Sequence, residues 1–168
     1  VTTPTTNACG LNGDLCKQCG QNTVCDASTG QCVRNPQSKW TVSAVRAEVT
    51  PLDTNGSGWD IGDDSAPDVF VSLLCPPSSA PNAISTPAAE SYAPEWTTLG
   101  CTATLHDLTK ESVQIVVFDY DPFTPSNDLV ASFTMQLKDE IISDQREFTI
   151  APTQALKSMT FRITLAEN

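Results

Sequence analysis

The chain is 168 residues long and carries a formal net charge of -11, with Asp+Glu 20 against Lys+Arg 9. That balance argues against nucleic acid as a partner, which needs clustered Lys and Arg to displace counterions, and against simple electrostatic docking on anionic lipid. The length suits one ordinary domain plus a small appendage, and no stretch approaches the roughly 18 apolar residues of a transmembrane segment.

Residues 1–36 show no useful helix or strand periodicity. The start, Val1-Thr-Thr-Pro-Thr-Thr, reads as an exposed leader of a processed or truncated chain, with no signal peptide visible. Five of the seven cysteines follow, as Cys9-x6-Cys16-x2-Cys19-x5-Cys25-x6-Cys32. So short a segment cannot bury enough surface to hold itself together, which makes covalent cross-links the expected brace. Such density favours an oxidising, extracytoplasmic setting, secreted or anchored at a cell surface. Zinc is the competing reading of Cys16-x2-Cys19, but no second Cys or His pair completes the site. The segment is loosely similar to truncated EGF-like repeats in its cysteine density and closing Gly-Gln-Cys32. Pro36 to Lys39 reads as linker, giving a cysteine-rich module over 1–36 and a second domain over 37–168.

From Trp40 the pattern changes to short β segments punctuated by Pro, Gly, Asn and Asp. Strands are expected over Trp40–Val49 and Asp68–Cys75, the latter apolar enough to be buried on both faces. A weak edge strand over Ile84–Glu90 follows, then Thr97–His106, Val113–Asp119, Leu129–Leu137, Arg146–Ile150 and Met159–Leu165. One helical turn fits at Lys138–Ser143 or Gln154–Ser158. Eight such strands predict an all-β, antiparallel eight-stranded sandwich. Cys75 and Cys101 are candidates for a bridge within it, and the odd total of seven leaves one cysteine over.

The acid is not evenly spread. Val113-Gln-Ile-Val-Val-Phe runs straight into Asp119-Tyr-Asp121, and Asp128 follows a Pro/Ser turn. Residues i and i+2 of a strand share a face, so Asp119 and Asp121 are forced together. Crowded carboxylates repel unless a cation neutralises them, and a hard, oxygen-liganded ion such as Ca²⁺ is the natural partner. Asp53, Asp60, Asp63, Asp64 and Asp68 form a second acidic segment. For Asp53 alone an Asx turn is the better reading. Residues Asp53 to Asp64 also mimic an EF-hand loop, yet Pro51, Pro67 and β-rich flanks deny it two helices. Trp59, Ile61 and Phe123 sit in the same loops, placed either to enter a lipid interface or to pack over the loop bases; Trp40 and Trp96 read as core. Asn55-Gly-Ser57 is a formal glycosylation sequon, set aside because a glycan there would obstruct the acidic site. His106 and Ser112 lack a nucleophile elbow, so no catalytic residue is assigned and no enzyme is expected.

Residues 39–168 resemble a C2 domain, the Ca²⁺-dependent membrane-targeting sandwich, in three places. Trp40-Thr-Val-x-x-Val-x-Ala-Glu-Val, an acidic loop and Pro67-Asp68-Val-Phe-Val are similar to that family's strand, first calcium loop and next strand. Ser91-Tyr-Ala-Pro94-Glu-Trp96 looks like its Asn-Pro-x-Trp element. Asp119-Tyr-Asp121 followed by Asp128 matches its third calcium loop. The resemblance implies Asp68, Asp119, Asp121 and Asp128 as ligands of one or two Ca²⁺, with Asp60 as the first ligand. Asp53, Asp63, Asp64 and Asn127 stand in reserve, and carbonyls near Trp59 and Tyr120 complete the shell. The first loop departs from the family in length and in its Pro-Asp order, and Lys110, Lys138 and Lys157 are too scattered for the basic patch of phosphoinositide-binding members. A closing strand at 159–165 implies the permuted, phospholipase-like (type II) topology. The implied function is calcium-dependent docking on a phospholipid membrane or another surface. The alternative is a protein-interaction or adhesion module in which Ca²⁺ is structural.

Overall fold

The computed structural model describes residues 8–10, 17–59, 65–97, 100–122, 127–150 and 155–166. The chain divides into two compact units, Val1–Ser38 and Lys39–Asn168. The smaller unit holds two antiparallel ladders: β1 (Ala8–Cys9) with β2 (Lys17–Gln18), and β3 (Thr23–Asp26) with β4 (Gln31–Arg34). The β3–β4 turn is built by Asp26, whose carboxylate accepts from the Ser28 backbone N–H and hydroxyl, and by Gly30 at φ 67, a left-handed conformation that glycine adopts without Cβ strain. Cys19 and Cys32 are bridged, Cα to Cα 5.4 Å. Cys25 is also disulfide-bonded, while Cys16 and the side chain of Cys9 lie outside the described residues.

The larger unit is an antiparallel β-sandwich. Its strands are β5 (Lys39–Val49), β6 (Asp68–Cys75), β7 (Asn82–Ser85), β8 (Ala89–Glu90), β9 (Cys101–Thr104), β10 (Val113–Asp119), β11 (Asp128–Met135), β12 (Arg146–Ile150) and β13 (Leu156–Leu165). One sheet runs β12-β13-β5-β9; the other runs β11-β10-β6-β7, with β8 also on β6. The last strand lies beside the first, Leu165 opposite Trp40, as the permuted order requires.

Alternation makes the core. Trp40, Val42 and Ala44 face inward from β5, and a register shift against Thr160 and Phe161 of β13 moves the phase so that Ala47 and Val49 do so next. Val69, Val71, Leu73 and Cys75 answer from β6, with Val113, Ile115 and Val117 from β10. Strand β6 is therefore buried on one face and only half-buried on the other. This corrects the expectation of burial on both faces, because the domain has two layers and no third to cover the outside. The expected edge strand at Ile84–Glu90 is broken into β7 and β8 around Pro87.

The expected strand over Thr97–His106 stops at Thr104 and gives way to helix α1 (Leu105–Lys110). The Thr104 hydroxyl accepts from the Asp107 N–H at 3.1 Å and donates to its carboxylate at 2.6 Å. Leu105 and Leu108, one turn apart, are buried. This is a capping signature that strand periodicity obscured. Just before β9, a side chain on Gly100 would collide with the Val42 carbonyl, so only glycine admits β9 to the edge of β5.

Cys75 on β6 and Cys101 on β9 form a disulfide, Cα to Cα 5.6 Å, that ties the two sheets through the core, where both residues are buried. Replacing both by Ala removes a cross-link spanning 26 residues and is expected to cost about 3 kcal/mol of stability. The expected outcome is a lower denaturant midpoint, followed by near-ultraviolet circular dichroism.

Candidate metal centre

The pole of the sandwich where β5 ends, β6 begins, β10 ends and β11 begins holds four of the predicted acids, Asp68, Asp119, Asp121 and Asp128. Register sets them: Asp119, the last residue of β10, stands opposite Val69 of β6 and opposite Asp128 of β11. Asp119 points to the core side and is fully buried. Its Oδ1 accepts from the Asp68 backbone N–H at 2.6 Å, and the Asp68 carbonyl in turn accepts from the Tyr120 N–H at 3.0 Å. Asp121 follows two residues on; its N–H donates to Asn127 Oδ1 at 3.4 Å, tying the end of β10 to the residue before β11. One carboxylate oxygen each of Asp119 and Asp121 is closed to solvent, whereas Asp68 is half-buried and Asp128 exposed. A shift in register between Val117 and Phe118 doubles Val130 and Ala131 into the core and brings Asp128 level with Asp119.

Four of the predicted ligands, Asp68, Asp119, Asp121 and Asp128, thus come from three adjoining strand ends. Among the described residues no three acidic, histidine or cysteine side chains meet closely enough to hold a metal. Asp60, Asp63 and Asp64, the expected contribution of the first loop, lie outside the described residues, as do Ile61 and Phe123. In donor chemistry the pole suits a hard cation, being all carboxylate and amide oxygen.

Asp53 is occupied by its own loop. Its Oδ1 accepts from the N–H groups of Asn55 and Ser57, each at 2.8 Å, and Oδ2 accepts from the Asn55 side-chain amide. The Ser57 N–H, followed by burial's weaker opposing effect and the other turn donors, holds the Asp53 carboxyl below its usual range. Of its two expected places, Trp59 takes the one at the loop base: only 3% exposed, it packs into the core and donates its indole N–H to the Thr50 carbonyl at 2.8 Å. It pins the base of the loop and offers nothing to a lipid.

Among the described residues of the larger unit, the exposed large apolar side chains are others: Leu52 at 51%, Tyr120 and Leu129 at 46%, and Tyr92 at 37%. The Tyr92 hydroxyl donates to the Ser65 carbonyl and its own carbonyl accepts from Val49, so the 91–96 segment backs the first loop, anchored by Trp96, whose indole N–H donates to the Pro87 carbonyl at 3.0 Å. Sequence reasoning passed over Leu52 and Leu129 and valued Tyr120 for its carbonyl alone; the signal of all three was adjacency to an acid in sequence.

No family model and no curated relative matches the sequence. Solved structures do. The first C2 domain of plant extended synaptotagmin 1 superposes with a TM-score of 0.54 at 14% identity, over 80% of this chain and 100% of that one. A calcium-bound structure of the two C2 domains of extended synaptotagmin 2 gives 0.53 at 15%, over 77% of this chain and 46% of that one. CC2D1B gives 0.57 at 11%, over 77% and 55%, so this chain spans about half the length of the latter two. At such identities the likeness establishes the fold, which is C2-like.

Because the Asp53 carboxyl is depressed in the folded chain, its contribution to the turn is complete above the ordinary carboxylate range and is lost as pH falls through the depressed value. An amide titration by NMR should show the Ser57 N–H shifting at a pH below that of a free aspartate. Asp53→Ala should abolish that transition.

Proposed function

We propose that the chain is an extracytoplasmic Ca²⁺-binding module that docks on a phospholipid membrane when the ion is bound. The observation that supports this most is the register that sets Asp119 opposite Asp128, with its carboxylate on the Asp68 backbone N–H and Asp121 two residues beyond. On this reading Asp68, Asp119, Asp121 and Asp128, joined by Asp60, hold one or two ions, with loop carbonyls completing the six to eight oxygens Ca²⁺ takes. Bound calcium supplies positive charge where the chain has gathered negative charge, and open coordination positions for phosphate oxygens.

The residues have separable parts. Asp119 is fixed by the Asp68 amide before any ion arrives, and Asn127 holds the Asp121 backbone. Trp59 and the Asp53 turn hold the start of the first loop, residues 50–59, in place. The buried bridge between Cys75 and Cys101 suits a domain that matures in an oxidising compartment, and the N-terminal unit serves as a disulfide-braced, EGF-like spacer. No residue is given a catalytic role.

Calorimetric titration with Ca²⁺ tests the reading. The wild-type chain should release heat and gain about 2.7 kcal/mol of stability at a free ion concentration one hundred times Kd, while Asp119→Asn/Asp121→Asn should lose both signals. No heat at millimolar Ca²⁺, or equal heat from the variant, would overturn it.

A further inference from the structure

We infer that the surface taken is a zwitterionic bilayer of the phosphatidylcholine kind, contacted by exposed apolar side chains at the acidic pole; this rests on the docking reading above. Among the described residues of the sandwich unit, the large exposed hydrophobics are Leu52, Tyr92, Tyr120 and Leu129. All four belong to loops or strand ends at the carboxylate pole. The apolar surface continues from there onto the outer face of the sheet. Leu129 stands opposite Phe118, and Phe118 opposite Phe70; the two rings stack at 5.3 Å. Tyr and Leu at a protein's tip favour the bilayer interface, where an apolar body and a polar end are both accommodated.

Charge decides which bilayer. No Lys or Arg occurs between Arg46 and Lys110, nor between Lys110 and Lys138. The segments 50–68, 89–97 and 119–128 hold Asp and Glu but no basic side chain at all. Of the cations on the other sheet, Arg46 and Arg162 both engage Glu147, whose carboxyl Arg162 above all holds below its usual range, and Lys157 engages Glu48. Two Ca²⁺ would still leave the chain at roughly -7. An anionic leaflet attracts basic segments and repels a face of this sign, whereas a zwitterionic one imposes no such repulsion and leaves apolar contact and phosphate–calcium bridging to act.

Cosedimentation of the full chain with vesicles is the test, using phosphatidylcholine alone and phosphatidylcholine mixed with phosphatidylserine, each with Ca²⁺ or chelator, at low and high salt. The expected result is calcium-dependent pelleting on phosphatidylcholine that survives high salt and is not improved by the serine lipid. Leu52→Ala/Leu129→Ala should weaken it at least tenfold while the melting temperature is kept, since both side chains are exposed. Pelleting only on serine-containing vesicles, declining with salt, would overturn the inference and leave membrane docking standing. Calcium binding without pelleting on any vesicle would overturn both and favour a protein partner.

Discussion

A carboxylate withdrawn from water at the end of one strand, and held there by the backbone amide of the next, is the constraint on which the acidic pole depends. A buried charged group is costly unless hydrogen bonds or opposite charge compensate it. The 2.6 Å bond from Asp68 N–H to Asp119 Oδ1 supplies part of that compensation and fixes where β6 begins relative to where β10 ends. Register then does the rest, because Asp128 at the start of β11 is placed opposite Asp119 by the strand pairing, and Asp121 lies two residues past this one contact. Sheet pairing, an ordinary device of folding, becomes the instrument that sets the spacing of the functional groups.

The supports around this contact are apolar or local. Trp59 and Trp96 are each buried with the indole N–H satisfied by a backbone carbonyl, which lets a large ring brace a loop without leaving a polar atom stranded. Asp53 uses its charge within its own turn. The same residue type therefore serves two ends within one loop system: Asp53 builds the turn, and Asp119 equips the pole. What separates them is position relative to a strand, which decides whether a carboxylate finds backbone N–H groups two and four residues on or meets other carboxylates across the sheet.

Much of this was legible in the residues. The apolar runs and alternation around Val42, Ala44, Val69, Val71, Ile115 and Val117 give the strands, and the Pro, Gly and Asp punctuation gives the turns, so the sandwich followed from the two together. The pairing of Cys75 with Cys101 was open to view because two cysteines on predicted strands of one small domain have few other partners. Less visible were features set by tertiary context. Helix α1 hides in Thr104-Leu-His-Asp107, a cap too short to alter the periodicity around it. The half-exposed outer face of β6 looks like core in sequence, since Phe70 and Leu74 are apolar whether or not a layer covers them. Trp59 lies among Gly and Asp, where composition suggests a tip, and only the Thr50 carbonyl within reach of its indole draws it inside.

The pairing of the last strand with the first has a topological consequence. Trp40 faces Leu165, and the Ala166 N–H donates to the Lys39 carbonyl at 3.0 Å, so the sandwich's points of entry and exit adjoin each other at the start of β5. The carboxylates cluster where β5 ends, at the far side of the domain. The sandwich therefore divides its labour lengthwise, its backbone entering and leaving at one end and its acidic side chains gathered at the other.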